Sequence, residues 1–303
     1  DIEVLQGLIS GTFMPTYFIL RQIVSVINRN VDPTVRIQHI RYGAHLRSIL
    51  VKTLQRPRRY KAVRLSLGLS QRQFSEKLGV YPETVSDWEL GVTEPKPRNV
   101  RAMASFASEN SGETISVASL LFGRSLMEEI AMQSSIAGVL YVVWLATGLN
   151  AEEFVAKFDI PFRTTHLSRF WKQGGAFDTL AVTIRRHQTF ELLKEYARVA
   201  SEETGEDIDL SRLLYRKPLN TVLENAGGVP EIIRVYRITR GYTIREVAAK
   251  TAIPFSTLNF IESRDANFVP KEAVLRSLAE FFELPDMSAL LPQKVGKNEE
   301  AQD

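Results

Sequence analysis

The sequence contains no cysteine among its 303 residues. A disulfide framework, a thiolate metal site and a cysteine nucleophile are therefore excluded. Histidine is scarce and scattered, with four residues in all: His39, His45, His166 and His187. His39 and His45 are six positions apart and do not share one helical face, as a metal-binding pair at i, i+4 would. We therefore expect structural or surface histidines and no metal site.

Long hydrophobic runs are also missing. The most apolar stretch is Ile136–Leu149, and its 14 residues are fewer than the roughly 20 that a membrane-spanning helix needs. This stretch predicts a buried core helix. The sequence begins Asp1-Ile-Glu-Val without a basic region, and its first arginine is Arg21, so no secretory signal is evident. We expect a cytoplasmic protein that does not contact membranes.

Signatures of catalysis are absent from the sequence as well. It has no Walker loop, no dinucleotide-binding glycine triad, no HExxH and no nucleophile elbow. We therefore expect that the protein is not an enzyme and uses no cofactor.

Charge is distributed unevenly along the chain. The formal net charge is only +3, but residues 1–107 carry 16 Lys/Arg against 8 Asp/Glu, a net charge of +8. The other 196 residues carry 22 basic against 27 acidic side chains, a net charge of −5. Such asymmetry indicates a polyanionic partner for the basic part.

Apolar residues recur at three- and four-residue spacing, and alternating β patterns are scarce, so the sequence predicts an all-α fold. Composition breaks divide the chain into a basic N-terminal helical segment (1–57), a first domain (58–130), a degenerate middle domain (131–200), a linker (201–228), a C-terminal domain (229–292) and a tail (293–303).

An internal repeat underlies this division. Residues 68–89 align without gaps with residues 241–262 at a shift of 173, and Trp88-Glu89 meets Ile261-Glu262. A weaker copy, Gly148–Ile160, fits at a shift of 80, with Asn150 at the cap position. After a two-residue insertion, Thr164–Trp171 aligns with the second helix of the first copy.

Each copy has the order helix, glycine, polar cap, helix, short turn, helix. In the first copy Ser70 is a helix cap with Gln73 three residues later, and Gly79 permits a tight turn. Val85 and Trp88 face the core, which leaves the intervening polar residues of that helix pointing outward. This is the spacing of a helix-turn-helix, whose second helix enters the DNA major groove.

The segment LSQRQFSEKLGVYPETVSDWELG (69–91) resembles the motif of the lambda-repressor/Cro-like (Xre-type) helix-turn-helix proteins. The shared marks are Ser70-Gln71, Leu78-Gly79-Val80, Val85 and Trp88-Glu89 followed by Gly91, with Phe74 in place of the usual Ala. The resemblance covers about 58–107 in the first copy and about 229–291 in the last. It implies tandem lambda-repressor-like DNA-binding domains, found most often in transcription regulators of phages, plasmids or chromosomes.

The resemblance also implies which residues contact DNA. The base-reading candidates in the first copy are Gln71, Arg72, Tyr81, Glu83, Thr84, Ser86 and Asp87. Those in the last copy are Arg245, Ser256, Thr257 and Asn259. The phosphate-contact candidates are Arg58, Arg59, Lys61, Arg64, Lys96, Arg98 and Arg101.

Two alternatives stay open at these positions. The acidic Glu83 and Asp87 lie on the face that must approach phosphates, so they either read bases or mark a domain that binds weakly. The last copy has 8 basic and 8 acidic residues in 229–291, and is either a DNA reader or a packing or dimer domain. The middle copy is expected to be a structural scaffold.

These observations predict a sequence-specific double-stranded DNA-binding protein, associated with the nucleoid, that regulates transcription, for instance in a mobile element. It would read half-sites as a homodimer or as an intrachain pseudo-dimer. The alternatives are an accessory DNA-binding factor for plasmid replication, partition or transfer, and a helical protein-interaction module with residual DNA binding.

Overall fold

The structure is a computed structural model that describes residues 17–30, 36–42, 45–161 and 187–292. Within these ranges every regular element is helical and no strand occurs, so the predicted all-α class is confirmed. The chain divides into two units: residues 1–129 with 142–154, and residues 130–141 with 155–303.

The basic part of the chain and the first predicted copy fold together in the first unit. Its helices are α1 (Tyr17–Asn30), α2 (Ile37–Tyr42), α3 (Leu46–Lys52), α4 (Arg56–Ser66), α5 (Gln71–Leu78), α6 (Pro82–Leu90), α7 (Pro97–Ser111) and α8 (Val117–Phe122). One apolar cluster joins α3 to α8 and contains Leu50, Val63, Trp88, Met103 and Leu120. Because α3 contributes to this cluster, the core extends across the domain boundary predicted at residue 57.

Helix α9 (Leu126–Met132) crosses the predicted boundary at residue 130, and α10 (Ile136–Thr147) and α11 (Ala151–Val155) lie within the predicted middle domain. Val139 and Val143 of α10 are fully buried, as expected of a core helix. No helix in the described ranges is long and apolar enough to span a membrane. Residues 162–186, which include the predicted second helix of this copy, lie outside the described residues.

The range 201–228 was expected to be a linker, but it contains helices. The preceding α12 (His187–Thr204) extends into this range, and α13 (Leu210–Tyr215) and α14 (Leu219–Glu224) lie within it. Its polar residues satisfy backbone groups at helix ends. The Asp209 carboxylate accepts from the Arg212 N–H at 2.9 Å, and the Ser201 hydroxyl donates to the Ile208 carbonyl at 3.1 Å.

The last predicted copy lies in the second unit. It consists of α15 (Val229–Thr239), α16 (Ile244–Thr251), α17 (Phe255–Glu262), α18 (Glu272–Phe281) and a final 3₁₀ helix (Met287–Leu290). Its core cluster includes Ile233, Val247, Leu258, Leu278 and Phe282. The predicted tail, 293–303, lies outside the described residues.

Helix positions recur along the chain at the same intervals. Helices α3, α9 and α14 begin at residues 46, 126 and 219, and α4, α10 and α15 begin at 56, 136 and 229. Both series are spaced by 80 and then 93 residues. Gly68, Gly148 and Gly241 follow α4, α10 and α15 at the same spacing, with φ of 66°, 67° and 73°. At Gly148 a Cβ would lie 2.8 Å from Cβ of Arg101, so glycine also permits a close approach there.

Local hydrogen bonds recur with the helices. The backbone N–H groups of Gln73, Glu153 and Glu246 are each capped by the side chain three residues earlier: Ser70, Asn150 and Thr243. The side chains of Gln73, Glu153 and Glu246 in turn accept from the backbone N–H groups of Ser70, Asn150 and Thr243. The Ser108 hydroxyl bonds both backbone groups of Ile115, and the Ser201 hydroxyl, 93 residues later, bonds both groups of Ile208.

Candidate nucleic-acid interface

Helices α5 and α6 form a helix-turn-helix around Gly79. The capping box of Ser70 and Gln73 starts α5, and Gly79 ends it in the left-handed conformation at φ 64°. Pro82 occupies the first turn of α6, where its missing N–H costs no hydrogen bond. The capping box and the turn at Gly79 were both predicted from the sequence.

Burial of one side of α6 determines which of its residues face outward. Val85 and Trp88 are 1% and 3% exposed and pack in the core. The predicted base readers of this copy lie away from that core. Tyr81, Glu83 and Arg72 are exposed, whereas Gln71, Thr84, Ser86 and Asp87 are half-buried. Tyr81 is 78% exposed, so its ring is the most accessible large apolar group at the start of α6.

A buried ion pair holds the helix-turn-helix against α4. The Arg64 guanidinium donates through Nε to Glu89 Oε1 at 2.5 Å and through Nη2 to Oε2 at 2.8 Å. Its Nη1 donates to the Leu69 carbonyl at 2.8 Å, and the Gln71 amide donates to Glu89 Oε2 at 3.0 Å. We call Arg64 and Glu89 the clamp pair. It ties α4, the start of α5 and the end of α6 together.

Two predicted phosphate contacts are therefore corrected by the structure. Arg64 is 7% exposed, and its guanidinium is engaged by Glu89 and the Leu69 carbonyl. Arg59 is 3% exposed and donates to the carbonyls of Thr53, Leu54, Leu120 and Leu121 at 2.5–3.0 Å. Burial lowers the pKa of Arg59, and the four carbonyls compensate for lost hydration. Neither arginine can reach a phosphate in this structure.

The other five phosphate candidates are exposed: Arg58, Lys61, Lys96, Arg98 and Arg101. Lys96 is the N-cap of α7 and Arg98 lies in its first turn. Backbone N–H groups of a first helical turn lack intrahelical partners and favour anions. The start of α7 thus combines two exposed cations with a favourable helix dipole.

Acidic side chains share this surface. Arg72 pairs with Glu76 at 3.2 Å, and both side chains are largely exposed. An exposed pair of this kind contributes little to stability, so Arg72 can exchange Glu76 for another anion at small cost. Glu83 is exposed in the first turn of α6, where its negative charge interacts favourably with the helix dipole.

The C-terminal hairpin α16–α17 has the same internal arrangement. Thr243 and Glu246 form its capping box, and Ala252 takes the place of Gly79 with φ 57°. Arg237 donates to Glu262 through Nε and Nη2 at 2.6 Å each, and through Nη1 to the Tyr242 carbonyl at 2.8 Å. This second clamp pair was not predicted, although Arg64 and Arg237, like Glu89 and Glu262, are 173 positions apart.

The outer surface of this hairpin differs from that of the first. Among its predicted base readers, Arg245, Ser256 and Asn259 are exposed and Thr257 is half-buried. Phe255 and Phe260 are 46% and 45% exposed. The guanidinium carbon of Arg264 lies 3.8 Å from the Phe260 ring centroid, and that of Arg245 lies 5.9 Å from the Phe255 ring centroid.

Comparison with known proteins bears on the first hairpin alone. Residues 61–107 match a helix-turn-helix family model. No curated protein and no solved structure matches the chain. The matched range contains α5, α6 and most of α4 and α7, so this part of the chain is a helix-turn-helix domain of the Xre/lambda-repressor-like type, a type that indicates DNA binding.

Proposed function

We propose that the protein is a sequence-specific double-stranded DNA-binding protein that regulates transcription and has no enzymatic activity. The observation that carries this proposal is the family match of residues 61–107, whose second helix keeps its polar side outside the core. Helix α6 would enter the major groove with Thr84, Glu83 and Asp87 toward base edges. A threonine methyl can contact thymine, and a carboxylate can accept from cytosine N4.

Phosphate contacts would come from the five exposed cations beside this hairpin, which are Arg58, Lys61, Lys96, Arg98 and Arg101. Such contacts fix the register of a protein on DNA without reading sequence. They also oppose the repulsion that Glu83 and Asp87 would otherwise impose on an approaching phosphate backbone. The clamp pair supports the geometry, because it joins α6 to α4, the helix that carries Arg58 and Lys61.

We further propose that the chain carries tandem copies of this domain. The 80- and 93-residue spacing of helix starts, the three capping pairs and the two clamp pairs support three copies of one ancestral unit. Two DNA-reading copies in one chain could occupy half-sites about 34–36 Å apart on one face of the duplex. That arrangement is an intrachain pseudo-dimer, and a homodimer of single readers is its alternative.

A DNA-binding protein of this kind has two candidate biological roles. A transcription regulator of a mobile element would protect promoter DNA, whereas an accessory factor for plasmid replication, partition or transfer would protect an origin. Mapping the protected sequence on the source's own DNA separates the two.

A second candidate function applies to the C-terminal hairpin. Its exposed Phe255 and Phe260 lie where the first hairpin has Pro82 and Asp87. Exposed aromatic side chains are enriched at protein–protein interfaces, so this copy is also a candidate protein-interaction module with residual DNA binding.

The DNA-binding proposal is tested with the full-length chain and a fragment selected from the source's DNA. Replacement of Arg58, Lys61, Lys96 and Arg98 with Ala should weaken binding and reduce the slope of log K against log salt by up to about four, at roughly 0.9 per phosphate contact. Fluorescence anisotropy at several salt concentrations measures both quantities.

The matched control replaces Lys271 and Arg276 with Ala. Lys271 is the N-cap of α18 in the C-terminal copy, as Lys96 is of α7, and Arg276 lies in the same helix. Binding driven by the first hairpin should change little in this control. Unchanged affinity and an unchanged salt slope in the variant with four substitutions would contradict the proposal for residues 58–107.

A further inference from the structure

Two histidines and a glutamate converge in the first unit. His39 lies on α2, His45 immediately precedes α3, and Glu113 lies in the loop between α7 and α8. One possible ligand atom from each side chain lies within 4.8 Å of the other two. The His39 and His45 rings meet edge to face with centroids 4.9 Å apart, and His45 Nδ1 is 3.6 Å from Glu113 Oε1.

The six-residue spacing of His39 and His45 does not reveal this arrangement, because the two histidines lie on separate elements and not on one helix. They lie on either side of the connection between α2 and α3, and the tertiary fold brings Glu113 to them from 68 positions further along the chain than His45. The helical spacing rule does not apply to side chains on separate elements.

The glutamate is held in place by the surrounding backbone. Its Oε1 accepts from the Leu46 N–H at 2.7 Å and its Oε2 from the Arg47 N–H at 3.0 Å. The buried Gln38 amide contacts both Glu113 Oε1 and the Ser111 carbonyl, at 3.4 and 3.2 Å. Each carboxylate oxygen has about two lone-pair directions, so a cation at Oε1 would replace the long Gln38 contact while Oε1 still accepts from the Leu46 N–H.

His39 provides a second, independent indication of a ligand. Its Nε2 atom is buried and has no hydrogen-bond partner, and a buried polar atom without a partner is costly. Its Nδ1 accepts from the Arg36 backbone N–H at a long 3.3 Å. Metal ligation through Nε2 would place the ring proton on Nδ1, so this weak contact would be lost while the orphaned nitrogen gained a ligand bond.

We propose that His39, His45 and Glu113 bind one Zn²⁺ ion. Two imidazoles and a carboxylate are a common three-ligand set for Zn²⁺, which takes water or another group in the fourth position. Tetrahedral ligands at about 2.0–2.1 Å from Zn²⁺ are about 3.4 Å apart. His45 Nδ1 and Glu113 Oε1 are 3.6 Å apart, and the distances from the His39 ligand atom, which are within 4.8 Å, would shorten where needed as the ion binds. The His45 side chain is 71% exposed, which leaves an entry path for the ion.

The bound ion would join three parts of the first unit. It would link α2, the start of α3 and the α7–α8 loop. Helix α7 carries the exposed cations Arg98 and Arg101, and Lys96 is its N-cap. Because the site would exist only in the folded unit, Zn²⁺ binding should stabilise that unit. The proposal does not depend on DNA binding.

Equilibrium dialysis of EDTA-treated full-length protein against ZnCl₂ alone provides the test. We expect one Zn²⁺ per chain, and a rise in Tm of roughly 5 °C when free Zn²⁺ is about 100 times Kd. His45→Gln should weaken binding at least about tenfold. This variant is informative because the His45 side chain caps no helix and is mostly solvent-exposed, so the apo protein should keep its helical circular dichroism and its Tm.

His39→Gln should weaken Zn²⁺ binding as well, and the double variant H166Q/H187Q is the matched control because it removes the other two histidines of the chain. Unchanged binding in the control and weaker binding in both single variants would support the site. The proposal is overturned if no stoichiometric Zn²⁺ binds, or if His39→Gln and His45→Gln leave the affinity for Zn²⁺ unchanged. It is also overturned if millimolar Mg²⁺ displaces the bound Zn²⁺ as readily as added Zn²⁺ exchanges with it.

Discussion

The segments 58–107 and 229–291 are alike inside and different outside. Each has a capping box at the start of its first hairpin helix and a buried Arg–Glu clamp pair that closes on the second. On the outer side of the second helix, the first segment presents Glu83 and Asp87, whereas the C-terminal segment presents Ser256 and Phe260.

This difference shows that the internal residues and the outer residues of the same kind of hairpin serve different purposes. The internal groups satisfy buried charges and helix ends, and any replacement there must satisfy them again. The outer groups are exposed or half-buried and can change with little effect on folding. Shared internal geometry therefore does not imply a shared binding partner, and the two segments can be tested against each other.

The largest expected effect comes from breaking each clamp pair. Glu89→Ala leaves Arg64 buried without its partner, and Glu262→Ala does the same to Arg237. We expect each variant to lose about 3–5 kcal/mol of stability, because an uncompensated buried charge remains. Hydrogen-exchange mass spectrometry should show faster amide exchange in 58–107 for the first variant and in 229–291 for the second.

Glu76→Ala is the control for this pair of variants, since it removes only the exposed partner of Arg72. Its cost should be at most about 1 kcal/mol. If Glu89→Ala costs no more than Glu76→Ala, the clamp pair does not hold the hairpin together.

An intermediate effect is expected at two matched threonines of the second hairpin helices. Thr84→Ala should weaken specific DNA binding by about 1–3 kcal/mol if Thr84 reads a base edge. Thr257→Ala tests whether the C-terminal hairpin reads DNA in the same way. Competition anisotropy with specific and non-specific duplexes measures the change.

Equal losses in the two threonine variants would indicate that both hairpins read bases. A loss confined to Thr84→Ala would sharpen the contrast between the hairpins and favour protein interaction for the C-terminal one. No loss in either variant would remove both threonines from the set of base readers.

The smallest expected effect concerns the turn between the hairpin helices. Gly79 and Ala252 both have left-handed backbones, with φ of 64° and 57°. Gly79→Ala should cost about 1 kcal/mol from backbone strain alone, since a Cβ there meets no atom within 4 Å. Ala252→Gly should stabilise its segment by less than this, because glycine also gains entropy in the unfolded chain.

Urea unfolding of the full-length chain, combined with segment-resolved hydrogen exchange, measures both changes. Opposite signs would confirm that the two turns are equivalent. A destabilising Ala252→Gly would indicate that the Ala252 methyl group contributes packing that Gly79 does without.

Local features of the fold were predictable from the sequence. The all-α class and the caps at Ser70, Asn150 and Thr243 follow from residue spacing and from hydrogen bonds within four residues. The expected linker at 201–228 was assigned from its acidic, polar composition, but the range contains α13 and α14, and Asp209 caps α13. Composition alone does not distinguish a polar loop from a polar helix end.

The positions of charged side chains were predictable only in part. Arg58 and Lys61 are exposed as expected, whereas the neighbouring Arg59 and Arg64 are buried. All four are basic residues of α4. Arg64 is buried against Glu89 of α6, and Arg59 is buried against the carbonyls of Leu120 and Leu121 in α8. No local pattern reveals a partner 25 or 61 residues away.

The sequence by itself determined the all-α class, the caps at Ser70 and Asn150, the turn at Gly79 and the outward polar side of α6, because these depend on neighbours in the chain and on helical periodicity. Only the tertiary structure decided that two arginines are internal and that His39, His45 and Glu113 meet. Those arrangements depend on distant segments packed together, where burying a charge requires a partner to compensate for lost hydration.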